Sequence, residues 1–245
     1  LANQHNFQLL AGVELFKQNR VDFSGYNEDY DLETPDYMWP DASTGVEKST
    51  GNKSAYSLVS FFGKVDYNWR DLILASFTIR RDGSSRFGKN NRYGTFPAAT
   101  IGYRISQNLQ KHWLDDLKIR ASWGKTGNQA ISNTARYAIY VADYGNDRIT
   151  STAYDLMLQQ SGIFPSGYIC TQTANDNLKW ETTIQYNAGI DFGMFNNRLF
   201  GTVDAYIKDV EDMLISPAYL GAMGEGGASW LNGPSLRNWG MEFMI

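Results

Sequence analysis

Apolar and polar residues alternate one by one along most of this chain. Over residues 59–69 the odd positions read Val59, Phe61, Gly63, Val65, Tyr67 and Trp69, against Ser60, Phe62, Lys64, Asp66 and Asn68. A period of two belongs to a strand whose two faces meet different surroundings. Ile73, Ala75, Phe77 and Ile79 repeat it against Leu74, Ser76, Thr78 and Arg80. Residues 93–105 and 117–124 follow the same rule. The longest run, 178–194, sets Leu178, Trp180, Thr182, Ile184, Tyr186, Ala188, Ile190, Phe192 and Met194 against Lys179, Glu181, Thr183, Gln185, Asn187, Gly189, Asp191 and Gly193. An ordinary globular strand has about 5–6 residues, and a membrane-spanning strand about 9–11. The long run suits the second. Residues 199–210 alternate as well, a strand at 7–15 opens the chain and one at 237–245 closes it.

The connections alternate too. Trp69-Arg70-Asp71 and Phe195-Asn196-Asn197-Arg198 are tight, and the two asparagines suit the positive φ of a hairpin turn. Residues 106–115 are short, with a helical turn expected at 109–114. Long connections are expected at 19–54, 82–92, 125–177 and 213–236. Short turns on one rim and long loops on the other describe an up-and-down barrel in an outer membrane. The expected fold is therefore all-β: an antiparallel up-and-down meander, part of a transmembrane outer-membrane β-barrel. Aromatic residues cluster at both strand ends, as headgroup interfaces favour: Tyr67, Trp69, Tyr103, Phe192 and Phe195 at the short turns, Tyr93, Trp123 and Trp180 towards the long loops. Ile190, Val203 and Ala205 are expected to face lipid. Asn187, Asp191, Thr202 and Asp204 are expected to face the lumen.

Composition sharpens this picture. The 245 residues carry 22 Lys and Arg against 26 Asp and Glu, a net charge of −4, which argues against nucleic acid as a partner. Aromatic residues reach 14%, with 23 glycines, as girdles and tight turns require. The mean hydropathy of −0.42 and the absence of a long apolar run leave no spanning helix, which says nothing against a barrel. Cys170 is the single cysteine, without a basic neighbour to activate it.

No catalytic constellation stands out, and no cofactor is expected. His5 and His112 are far apart, and Gly124-Lys125-Thr126 lacks the earlier glycine of a phosphate loop, because Ile119 stands there. The glycine-rich stretch 221–228 reads as a flexible loop. The acidic stretch Asn27-Glu28-Asp29-Tyr30-Asp31, with Glu33 and Asp36, could wrap Ca²⁺ or be a solvated loop. The mixed-charge turn 80–86 could hold anionic lipid, substrate or only itself. In the long loops Tyr37, Trp39, Tyr168 and Trp230 offer flat aromatic faces for sugar or peptide stacking. The same rings could instead pack the loops together or against a lid.

Several blocks resemble the SusC-like (RagA-like) TonB-dependent transporters of the Bacteroidota outer membrane. They are RDGSSRFG at 81–88, NRYGTFPA at 91–98, GYRIS at 102–106, LKIRASWGKTGN at 117–128, NLKWETTIQYN at 177–187, GIDFG at 189–193, NRL at 197–199 and YIKDVEDML at 206–214. Near the end Trp239 and Met241 stand where the family tends to have Arg and Val. The resemblance implies a large barrel of about 22 strands with a plug. It implies import energised through TonB, glycan or peptide substrates and a SusD-like lipoprotein lid. On this reading residues 1–245 are part of the barrel domain, with the plug, the TonB-contacting segment and the C-terminal strands expected to lie outside the chain. Two other readings compete. One is a complete eight-stranded outer-membrane barrel for adhesion or structure, the other a soluble carbohydrate-binding β-sandwich. Strands evolved for a wide barrel should form an open meander in which the first and last do not pair.

Overall fold

The structure, a computed structural model, describes residues 4–109, 111–143, 167–217 and 229–245. The wall strands are β1 (His5–Asn27), β2 (Glu47–Trp69), β3 (Ile73–Ser84), β4 (Tyr93–Arg104) and β5 (Leu114–Asn128). A small pair, β6 (Ile139–Asp143) and β7 (Gly167–Gln172), is followed by β8 (Glu181–Met194) and β9 (Leu199–Glu211). Two bridging strands, β10 (Leu214–Ile215) and β11 (Leu231–Asn232), precede β12 (Leu236–Met244). One eight-stranded sheet runs β1-β2-β3-β4-β5-β8-β9-β12, while β6 pairs with β7 and β10 with β11 outside it. The first and last wall strands lie at opposite edges, so this is the expected open meander and not a closed eight-stranded barrel. No second sheet covers its apolar face among the described residues, as a sandwich would require.

The tight turns form as their residues dictate. Arg70 and Asp71 take φ of 51° and 55°, and Asn68 clamps the bend, its amide nitrogen donating to Asp71 Oδ1 at 2.6 Å. In the second turn Phe195 joins Asn196 and Asn197 at positive φ. The helical turn of the third connection is α1 (Ser106–Leu109), a few residues before the position expected. Two longer revisions concern β1 and β2, which run far into the segment expected to be a loop. Most of those residues are exposed on both faces, so no apolar side marks them, although the backbone goes on pairing.

The chain divides into two compact units, Phe16–Ser57 and the remainder. Within Phe16–Ser57 the connection 28–46 closes on itself: Asn27 donates to the Pro40 carbonyl at 2.7 Å, Tyr30 bridges Ser43, and the Thr44 amide donates to the Asp29 carbonyl at 2.7 Å.

Within the remainder, the buried apolar cluster lies among the long connections and not between layers. Phe87 and Leu178 are fully buried, joined by Phe96, Ile131, Ala135 and Trp180. The Trp180 ring tilts against Phe87 at 4.7 Å and meets Phe96 edge-on at 5.3 Å. Each such aromatic side chain contributes about 1.5–3 kcal/mol by leaving water. Trp180, expected at a lipid interface, is therefore a core residue. The strand starts after it, at Glu181, and the period of two does not reach back to residue 178.

Candidate functional site

The sheet's two faces are inverted relative to a soluble protein. The apolar side chains point outward and stay bare: Phe77 is 44% exposed, Ile101 55%, Tyr186 50%, Ile207 46% and Trp239 77%. Register aligns them in rows across the sheet, such as Ile119–Ile190–Val203–Phe243 and Trp123–Tyr186–Ile207–Trp239. From Leu117 to Trp123 on β5, and over the matching stretch of each neighbour, outward positions are apolar, alanine or glycine. They then give way to Arg81, Thr95, Lys125, Asp209 and Arg237. Ile190, Val203 and Ala205 lie on this face, as expected.

The polar side chains occupy the other face and are partly covered by one another. Lys118 Nζ donates to Asp191 Oδ2 at 3.2 Å, Arg120 Nε to Asp191 Oδ1 at 3.0 Å, and Arg120 Nη2 to Asp204 Oδ2 at 2.5 Å. This chain of charges crosses β5, β8 and β9. Gly189 makes it possible: it sits in register between Arg120 and Asp204, and a Cβ there would stand 2.8 Å from Arg120 Cζ. A second bridge joins Arg80 to Glu14 at 2.7 Å, to Asp82 at 2.7 Å and to the Ser60 hydroxyl at 2.9 Å. Between the two, Gln8, Asn68, Ser76, Thr100, Ser122 and Asn187 line a cavity of about 460 Å³. The wall thus offers amide and hydroxyl groups, while these charges neutralise each other locally. It suits the passage or seating of a polar solute. Asp191, Thr202 and Asp204 share this face with Asn187, as expected.

At the long-loop end the mixed-charge turn holds itself together. Arg86 Nε donates to Asn133 Oδ1 at 2.8 Å and Nη1 to the Gln129 carbonyl at 2.8 Å. The Gly88 amide donates to the Leu178 carbonyl at 3.2 Å, Asn91 to the Asn177 carbonyl at 2.8 Å, and Trp180 Nε1 to the Arg92 carbonyl at 3.0 Å. Three connections are thereby fastened around Phe87. A fourth joins them through Asn175, which donates to the Trp230 carbonyl at 2.8 Å. Arg86 was not foreseen as the hub. The sequence signal beside it is Phe87, an apolar ring in a turn otherwise polar.

Of the four aromatic candidates, Tyr37 and Trp39 lie in one compact unit and Tyr168 and Trp230 in the other. Tyr37 and Trp39 stand 61% and 66% exposed in Phe16–Ser57, with Trp39 Nε1 donating to the Asp36 carbonyl at 3.1 Å. Trp230 is half-buried against the loop cluster. Tyr168 lies in β7 opposite Ala142, and its side chain is outside the described residues. Tyr137 and Tyr140, 48% and 64% exposed at the foot of the β6–β7 pair, escaped the sequence reading because no alternation marks them. Arg136 lies over the Tyr137 ring at 4.2 Å. Among the described residues no three acidic, histidine or cysteine side chains converge as metal ligands, and the stretch near Asp29 is closed by hydrogen bonds of its own backbone. The glycine-rich stretch 221–228 lies outside the described residues.

Residues 1–245 match the family described as TonB dependent receptor-like, beta-barrel. The chain is 34% identical to the TonB-dependent receptor SusC of Bacteroides thetaiotaomicron over 247 residues, covering 98% of this chain and 23% of that protein. It is also 34% identical to the TonB-dependent receptor P3 of Formosa agariphila, again over 98% of this chain and 23% of that protein. Among solved structures it superposes on the RagAB peptide importer in the 'open-open' state with a TM-score of 0.79 and 27% identity, over 98% of this chain and 25% of that one. The chain spans about a quarter of the length of these relatives.

Proposed function

Because the chain belongs to the TonB dependent receptor-like, beta-barrel family, we propose that it forms a stretch of the wall of an outer-membrane importer for oligosaccharide or peptide nutrients. One observation carries the reading. The apolar face is bare and outward while the polar face is hydrogen-bonded within itself, an arrangement stable only where lipid meets the first and an aqueous lumen the second. On this reading residues 1–245 belong to the barrel domain, and plug and TonB contacts come from other parts of the protein. A SusD-like lipoprotein covers the long-loop rim. The chain catalyses no reaction and needs no cofactor. Tyr37, Trp39, Tyr168 and Trp230 are the proposed substrate contacts, where rigid rings can stack on sugar or peptide planes at low entropic cost.

The test is growth of a strain deleted for the full-length gene, supplied in turn with oligosaccharides and oligopeptides as the limiting nutrient. Loss of growth on one class, restored by the intact gene, is the expected result. Unchanged growth and uptake on every class tried would overturn the importer reading.

A further inference from the structure

The outward face carries a groove of about 780 Å³. Its floor is a row of small side chains, Ala121, Ala188 and Ala205, paired across β5, β8 and β9. Trp123, Tyr186 and Trp239 wall it towards the long loops. Just beyond that wall, on the same face, the outward positions of β3 and β5 turn to cations. Arg81 lies over the Tyr93 ring at 5.4 Å, and Lys125 stands one outward position past Trp123. Lys125 has no ion pair among the described residues. From β3 to β8 the outward positions at this level are Arg81, Tyr93, Thr95, Lys125, Ile184 and Thr182, with no carboxylate among them. On β9, Asp209 is already held by both guanidinium nitrogens of Arg237 at 2.6 and 2.9 Å, and the next outward acid, Glu211, lies opposite Thr182, two strands and one outward position from Lys125.

A cation at the headgroup level without a carboxylate neighbour is matched by an anion supplied from the bilayer. We propose that this face binds a phosphate-bearing acyl lipid of the leaflet on the long-loop side, with a chain in the alanine-floored groove and the phosphate held by Lys125 and Arg81. The spacing fits. The two residues are two strands and one outward position apart, about 12 Å between Cα atoms, and both side chains can reach a headgroup lying between them. The groove shields a chain from exchange with bulk lipid, and charge-assisted contacts to phosphate are the stronger kind of hydrogen bond. The inference rests on this face meeting lipid, and the experiment separates the two.

The full-length importer, purified in mild detergent and stripped of lipid, is titrated with lipid A and with dephosphorylated lipid A, and retention is read by native mass spectrometry. Retention of the phosphorylated form should fall about tenfold in an Arg81→Gln, Lys125→Gln double variant, while the dephosphorylated form is held weakly and equally by both proteins. Ala188→Leu should weaken both lipids by filling the groove, and millimolar inorganic phosphate alone should not displace lipid A. Lys208→Gln, the removal of a cation from the lumenal face, should change nothing. Equal retention of the two lipids by the unaltered protein, or unchanged retention in the double variant, would overturn the site. A nitroxide at Ala188→Cys in a Cys170→Ser background checks the premise separately. Relaxation by oxygen keeps the face in lipid, whereas relaxation by a water-soluble nickel chelate would remove the premise itself.

Discussion

Gly189 shows how one residue can organise three strands. Its missing side chain is the gap through which the Arg120 guanidinium passes from β5 to reach Asp204 on β9. The groups are about a third exposed or less, so each ion pair is worth no more than about 1 kcal/mol. The geometry is nevertheless strict. Gly189→Val should destabilise the full-length protein, and it should cost less when Arg120 is already Ala. A double-mutant cycle in urea unfolding from bilayers should give a coupling of about 1 kcal/mol. Strict additivity would mean that the gap does not serve the arginine. Phe87 is the corresponding residue among the loops: fully buried and stacked on Trp180. Phe87→Ala should cost about 3–5 kcal/mol locally, read as faster amide exchange across residues 129–138 and 173–180. Trp230→Ala, at the edge of the same cluster, should cost less.

Strands carry their placement in alternation only where the two faces meet different solvents. Val203 and Thr202 are neighbours on β9, yet their side chains enter opposite media. Val203→Lys should cost about 2–4 kcal/mol if it lies near the bilayer midplane, and Thr202→Lys much less, in refolding from urea into bilayers. Equal costs would reverse the face assignment. The same logic explains what could be read from residues alone. Most of β3, β4, β8 and β9 lay open in the sequence because lipid on one side and polar groups on the other write a period of two. The outer arms of β1 and β2 did not, since exposure on both faces erases it. Trp180 was misplaced because parity was carried past the end of its strand. Phe96, on the polar side of the pattern, was a core residue for the opposite reason: a large ring among hydrophilic neighbours marks a local cluster. Side chains that gather from separate loops, such as Arg86 with Asn133, leave no periodic trace.

At the scale of the whole protein, the proposed aromatic contacts are tested together, since no single ring spans a substrate. A Trp39→Ala, Trp230→Ala double variant should reduce substrate uptake severalfold while leaving the amount of protein in the membrane unchanged. Undiminished uptake would assign both rings to packing. The loop cluster bears on a larger question, that of how such proteins diversify. Arg86, Phe87, Leu178 and Trp180 fix the two points where the excursion containing β6 and β7 leaves the wall and returns. Between those points the wall is continuous, β5 pairing with β8 from Asn128 opposite Glu181 down to Leu114 opposite Met194. On the proposed function, replacing the residues between about 138 and 173 with those of a relative should leave the pairing of β5 with β8 intact and change which cargo is taken up, so that a new preference would arise in one genetic step and not by gradual remodelling of a pore.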